Sequence, residues 1–145
     1  MRAERRANRH NLGFLLAKAS QRWNEVLYVQ FCAAGYPEVR PSYGSVLLPL
    51  FEEDGLRMTD LAERARLSKQ TMTTLVRLLE RERLVRRDRH PDDGRAFRIS
   101  LTDRARRFRP VADNVLADMD RLVRARVTQR ELQTLESTLR KVMQL

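Results

Sequence analysis

The feature that most constrains this chain is a change of period in its middle. In the stretch DLAERARL, Leu61, Ala62 and Ala65 share one face of a short helix, with Thr59 read as its N-cap. Ser68 is the next N-cap, and Met72, Leu75, Val76 and Leu79 follow helical spacing within a helix from Lys69 to about Arg83. After Leu84 the spacing drops to two. Phe97, Ile99 and Leu101 alternate with Arg98 and Ser100, and VRRDR and AFRISLT read as two strands joined by the turn HPDDGR. Two helices joined by a tight turn and followed by a charged hairpin make a winged helix-turn-helix.

The second helix has another face. Gln70, Thr73, Thr74, Arg77 and Arg81 recur at helical spacing away from the apolar stripe. Their short or planar polar ends suit a major groove. Threonine offers a methyl and a hydroxyl, glutamine can pair with adenine, and arginine can pair with guanine. Ser68, Lys69 and Thr71, at the helix start, are positioned to touch phosphate and set register. At the hairpin tip, Arg95 can enter a narrow minor groove. Asp93, two residues earlier, can orient its guanidinium through a bidentate pair.

The flanks are helical. From about Asn8 to Ala33, Leu12, Leu16, Ala19, Trp23, Val26 and Gln30 alternate at spacings of four and three, a seam for another helix. A second helix starts near Pro41 or Ser42 and ends before Gly55, with Pro49 inside it. Thr102 caps a long helix to about Arg126, and Thr128 with Glu131 forms a capping box for the last one. That last helix carries Leu132, Leu135, Leu139 and Val142. These stripes exceed what one small winged domain can cover, so they predict an interface with a second copy.

Charge agrees with an anionic partner. The net charge is +10, and residues 57–109 hold 16 Lys and Arg against 8 Asp and Glu. The 42% hydrophobic content supports a packed core. One cysteine excludes an intrachain disulfide framework and fits a reducing compartment. No apolar run is long enough to span a membrane, and the basic N-terminus lacks the cleavage pattern of a signal peptide.

The stretch LSKQTMTTLVRLLERERLVRRDRHPDDGRAFRISLT resembles the core of the multiple-antibiotic-resistance regulator (MarR) family of bacterial winged-helix repressors. The family pattern Leu-Ser-Lys-x-Thr-x-Thr starts the recognition helix. The wing pattern Asp-Pro-x-Asp-x-Arg-Ala, ending in Leu-Thr, is met here by Pro91, Asp93, Arg95, Ala96, Leu101 and Thr102. The resemblance implies a mainly α fold with a small β-hairpin wing. Residues 1–40 would form an N-terminal dimerisation helix, 41–104 the DNA-binding domain, and 105–145 the C-terminal dimerisation helices.

It also implies a homodimeric repressor on double-stranded DNA. DNA-contact roles carry over to Ser68, Gln70, Thr71, Thr73, Thr74, Arg77 and Arg95, with Asp93 orienting Arg95. The protein would be cytoplasmic, and nucleoid-associated when bound. Two positions depart from the pattern. Arg83 stands where the family has a glycine at the helix end, which suggests a different ending and an added phosphate contact. His90 replaces the first aspartate of the wing.

A small aromatic or amphipathic effector is a further implication. Trp23, Tyr28, Phe31, Tyr36, Tyr43 and Phe51 are candidates to line its cleft. Cys32 is a candidate redox sensor, or a small buried hydrophobe. His10 and His90 lack neighbours at ligand spacing, so no metal and no cofactor is expected. No phosphate loop or nucleophile elbow is present, which argues against an enzyme. A sequence-indifferent architectural DNA binder and a winged protein-interaction adaptor remain as alternatives.

Overall fold

The computed structural model describes residues 10–145. Its elements run α1 (Leu12–Ala33), a 3-10 turn (Pro41–Tyr43), α2 (Gly44–Glu52), β1 (Leu56–Arg57), α3 (Met58–Ala65), α4 (Lys69–Arg81), β2 (Val85–His90), β3 (Asp93–Leu101), α5 (Asp103–Arg124) and α6 (Gln129–Val142). The architecture is the mainly α winged helix expected. Among the described residues, no helix is long and apolar enough to cross a membrane.

Local chemistry explains most boundaries. Asn11 caps α1 by accepting the Phe14 N–H at 2.8 Å. The expected start at Asn8 lies outside the described residues. Ser68, Thr102 and Thr128 cap α4, α5 and α6 as read, accepting the N–H groups of Thr71, Ala105 and Glu131. Thr128 also donates to the Glu131 carboxylate, a one-sided form of the capping box. α5 ends at Arg124, two residues before the expected limit.

Thr59 is not an N-cap. Arg57 occupies that position, and the helix begins at Met58 because β1 fixes the preceding backbone as extended. This strand was not foreseen. Two residues are too few to show a period.

Arg83 does not change how its helix ends. It adopts φ 58°, the left-handed region that glycine favours. Its N–H bonds Glu80 O, and the Leu84 N–H bonds Leu79 O. Arg66 ends α3 the same way at φ 54°, with Leu67 N–H on Ala62 O. Burial of Leu84, which has no exposed surface, anchors the first of these turns.

The sheet order is β1-β3-β2, antiparallel throughout. Leu47 and Leu50 from α2, Leu61 from α3, Met72, Val76 and Leu79 from α4, Ile99 and Leu101 from β3, and Phe108 from α5 share one core. Leu75 is only half-buried. α1 packs on α5, where the Phe31 and Phe108 rings meet edge to face at 5.0 Å.

Candidate nucleic-acid interface

α4 commits both of its faces. Met72, Val76 and Leu79 are fully buried, while Gln70, Thr74, Arg77 and Arg81 are exposed and Thr73 is half-exposed. The Thr73 hydroxyl donates to Lys69 O at 2.8 Å, and the Thr74 hydroxyl donates to Gln70 O at 3.0 Å. Each hydroxyl proton is therefore used within the helix. What these threonines present outward is a methyl and an oxygen acceptor. At the helix start Ser68 accepts the Thr71 N–H and donates to its hydroxyl at 2.9 Å, which holds both side chains in place.

The wing tip differs from the turn read in HPDDGR. β2 runs on through His90 and β3 begins at Asp93, so only Pro91 and Asp92 form the turn. Arg89 pairs with Phe97, but the next pair is His90 with Asp93. Gly94, Arg95 and Ala96 are thus extra residues on β3, a bulge that carries Arg95. Bulges escape period counting because they add residues without breaking the flanking alternation.

Asp93 does not hold the Arg95 guanidinium. Its Oδ1 accepts the Arg95 backbone N–H at 3.0 Å and so fixes the bulge backbone. An aspartate two residues upstream reaches its own main chain more readily than a long side chain. Arg89, which was not singled out, braces the bulge from the other strand. Its guanidinium donates to Gly94 O at 2.7 Å. His90 Nδ1 accepts the Asp92 N–H at 3.1 Å and closes the turn, a role that an aspartate side chain could also fill.

Ion pairing separates two sets of cations. Arg86 pairs with Asp88, and Arg87 pairs with Glu80 while lying over the Phe97 ring. Among the described residues, no carboxylate lies within ion-pair distance of Lys69, Arg77, Arg81, Arg83 or Arg95. Unpaired cations on α4 and the wing are free to meet an external anion without first breaking a bond.

The aromatic candidates do not form one group. Trp23, Phe31 and Phe51 line a cavity of about 270 Å³ between α1, α2 and α5, together with Arg40, Ser45 and Phe108. Tyr28, Tyr36 and Tyr43 are not in its wall. The Tyr28 hydroxyl donates to Pro37 O at 2.9 Å, Tyr36 packs on Phe108, and Tyr43 is buried in the core. The family resemblance implied one cleft for all six, but only three share this cavity, and the 3-10 turn buries Tyr43 in the core. Burial, then the nearby Glu82 carboxylate, pushes the Tyr43 phenol above its ordinary pKa. Cys32 is half-buried one turn from Tyr28, and its thiol, ahead of burial, raises the Tyr28 phenol above its ordinary pKa.

Residues 41–97 match the sequence model of the MarR family. The HTH-type transcriptional regulator SarZ of Staphylococcus epidermidis is 35% identical over 92 residues, which span 62% of this chain and 60% of SarZ. The fold is shared with the MepR–DNA complex of S. aureus (TM-score 0.80, 20% identity, 92% of this chain and 97% of that one). It is also shared with the PcaV regulator of Streptomyces coelicolor, solved with its natural ligand (TM-score 0.79, 24% identity, 95% and 96%).

Proposed function

From the match of residues 41–97 to the MarR family model, we propose that this chain is a MarR-type, sequence-specific DNA-binding transcriptional regulator. It acts as a homodimer on a pseudo-palindromic operator. The observation that carries this reading is the division of α4, whose inner face buries Met72, Val76 and Leu79 and whose outer face holds unpaired arginine, glutamine and methyl-presenting threonine. Thr73, Thr74, Gln70 and Arg77 read base edges. Ser68, Lys69 and Thr71 meet phosphate, and Arg95 enters the minor groove from its bulge. Asp93 serves by shaping that bulge. Half-sites lie about 10 base pairs apart, one turn of the duplex.

The second copy covers the end helices. Leu12 on α1 is 62% exposed and Leu135 on α6 is 49% exposed, and both lie on the stripes read as interface. Repression, with release by a small ligand, is the regulatory mode that follows. The cavity beside Trp23, Phe31 and Phe51 suits an aromatic effector, with Arg40 available to an acidic group. PcaV, a protein of the same fold, was solved with its natural ligand.

Titration against the chain's own upstream region and against random duplexes, across a salt series, tests the reading. The regulator gives a specificity ratio of about 10³ or more. A ratio near one instead indicates an architectural binder, and negligible binding indicates an adaptor.

A further inference from the structure

We propose that Asp54 is a positioning residue that sets the angle at which the wing leaves the helix-turn-helix. The inference rests on the reading of the wing as a DNA contact. β1 pairs with β3 only at Leu56↔Ile99 and Arg57↔Arg98. One residue earlier, Gly55 takes φ +74° and the backbone leaves the sheet. A side chain there would be strained, and its Cβ would meet Arg98 Cδ at 3.2 Å.

The ladder on that edge of β3 therefore ends at Ile99, and Asp54 extends it with a side chain. Its Oδ1 accepts the Leu101 N–H at 2.9 Å, at the root of the wing. The same oxygen accepts the Gly55 N–H at 2.9 Å, which closes the turn. Its Oδ2 accepts from Arg106 of α5 at 3.1 Å, and Arg106 also binds Asp103 at 3.0 Å. One carboxylate thus ties the end of α2 to the wing and to the long C-terminal helix.

Its neighbour Glu53 pairs with Arg64 of α3, so the two adjacent acids reach the first helix of the pair and the wing separately. On the other side of the root, Thr102 donates to Arg83 O at 2.7 Å. The wing is held between these two clamps.

Leverage makes the root matter. Arg95 lies six residues from Leu101, roughly 20 Å along a strand. A rotation of about 10° at the root moves Arg95 by roughly 3 Å, beyond hydrogen-bond tolerance. α2 also walls the cavity through Ser45, Leu47 and Phe51, so a shift of α2 reaches Asp54 within three residues.

The test combines operator binding with amide hydrogen exchange. Asp54→Ala lowers operator affinity by about threefold to tenfold, within the loss caused by Arg95→Ala. In an Arg95→Ala background it costs less than about twofold more, because the wing contact is already gone. Asp54→Asn, which keeps the Oδ1 acceptor, restores most of the affinity. Exchange at Leu101 and in residues 93–99 quickens in Asp54→Ala and stays slow in Asp54→Asn.

Unchanged exchange at Leu101 overturns the proposal, whatever the DNA result. So does an affinity loss that adds fully to that of Arg95→Ala. If Asp54→Ala does not fold, Asp54→Glu, which displaces the carboxylate by one methylene, carries the same expectations. Wild-type protein that lacks sequence preference sinks the regulator reading instead, and leaves the exchange test of the wing root standing.

Discussion

α4 and α6 are near-equal in length, at 13 and 14 residues, and each carries a clear apolar stripe. α4 buries Met72, Val76 and Leu79, whereas α6 buries Leu132 alone. Leu135 stands exposed on α6 with Met143 at its C-cap, and Leu12 and Trp23 stand exposed on α1. The winged body closes its own core, and its second helix divides into a buried apolar face and an exposed polar one. The end helices carry the same kind of pattern with one face unclaimed. Amphipathicity states that a face must be covered, and not by which chain.

Substitution of buried and exposed leucines is the strongest way to break this contrast. Leu79→Ala in α4 should cost about 2–5 kcal/mol of folding stability, measured by denaturant titration, because the site is fully enclosed. A cost below about 1 kcal/mol would mean the core is not closed as described. Leu135→Asp in α6 should leave the winged body folded by circular dichroism. It should weaken self-association by roughly 2–3 kcal/mol per copy, the value of one buried leucine, read from the concentration dependence of mass. An unchanged association constant would place the interface elsewhere.

The outer face of the body sharpens the contrast from the other side. Arg95→Ala should reduce DNA binding by about 1–3 kcal/mol without changing the melting temperature. Full affinity in the folded variant would remove the wing from the interface. At the end of α4, Arg83→Gly should stabilise the fold by about 1 kcal/mol, since a left-handed arginine is strained and α6 has no such residue at its end. Destabilisation would show that the Arg83 side chain contributes more than its backbone costs.

Much of this was legible because it rests on local chemistry. The caps at Ser68, Thr102 and Thr128, the two faces of α4 and the hairpin follow from residue type and spacing. β1 was not, because a two-residue strand exists only through its pairing with Ile99 and Arg98. The bulge at Gly94 to Ala96 was hidden because alternation resumes at Phe97. Asp93 accepts the Arg95 backbone N–H rather than the guanidinium bonds that its spacing suggests, because the turn that brings the two close is set by the bulge. The six aromatics divided because they sit on α1, the segment after it, the 3-10 turn and α2, and only the packing of these elements decides which of them face one cavity. Asp54 gave no signal. Its three donors come from its own turn, from β3 and from α5, and only the fold brings them together.

Sedimentation with and without an operator duplex tests the central claim most directly. The account predicts a free species of twice 17.1 kDa that binds one duplex as a unit. A stable 17.1 kDa species that binds the operator with full affinity would contradict it.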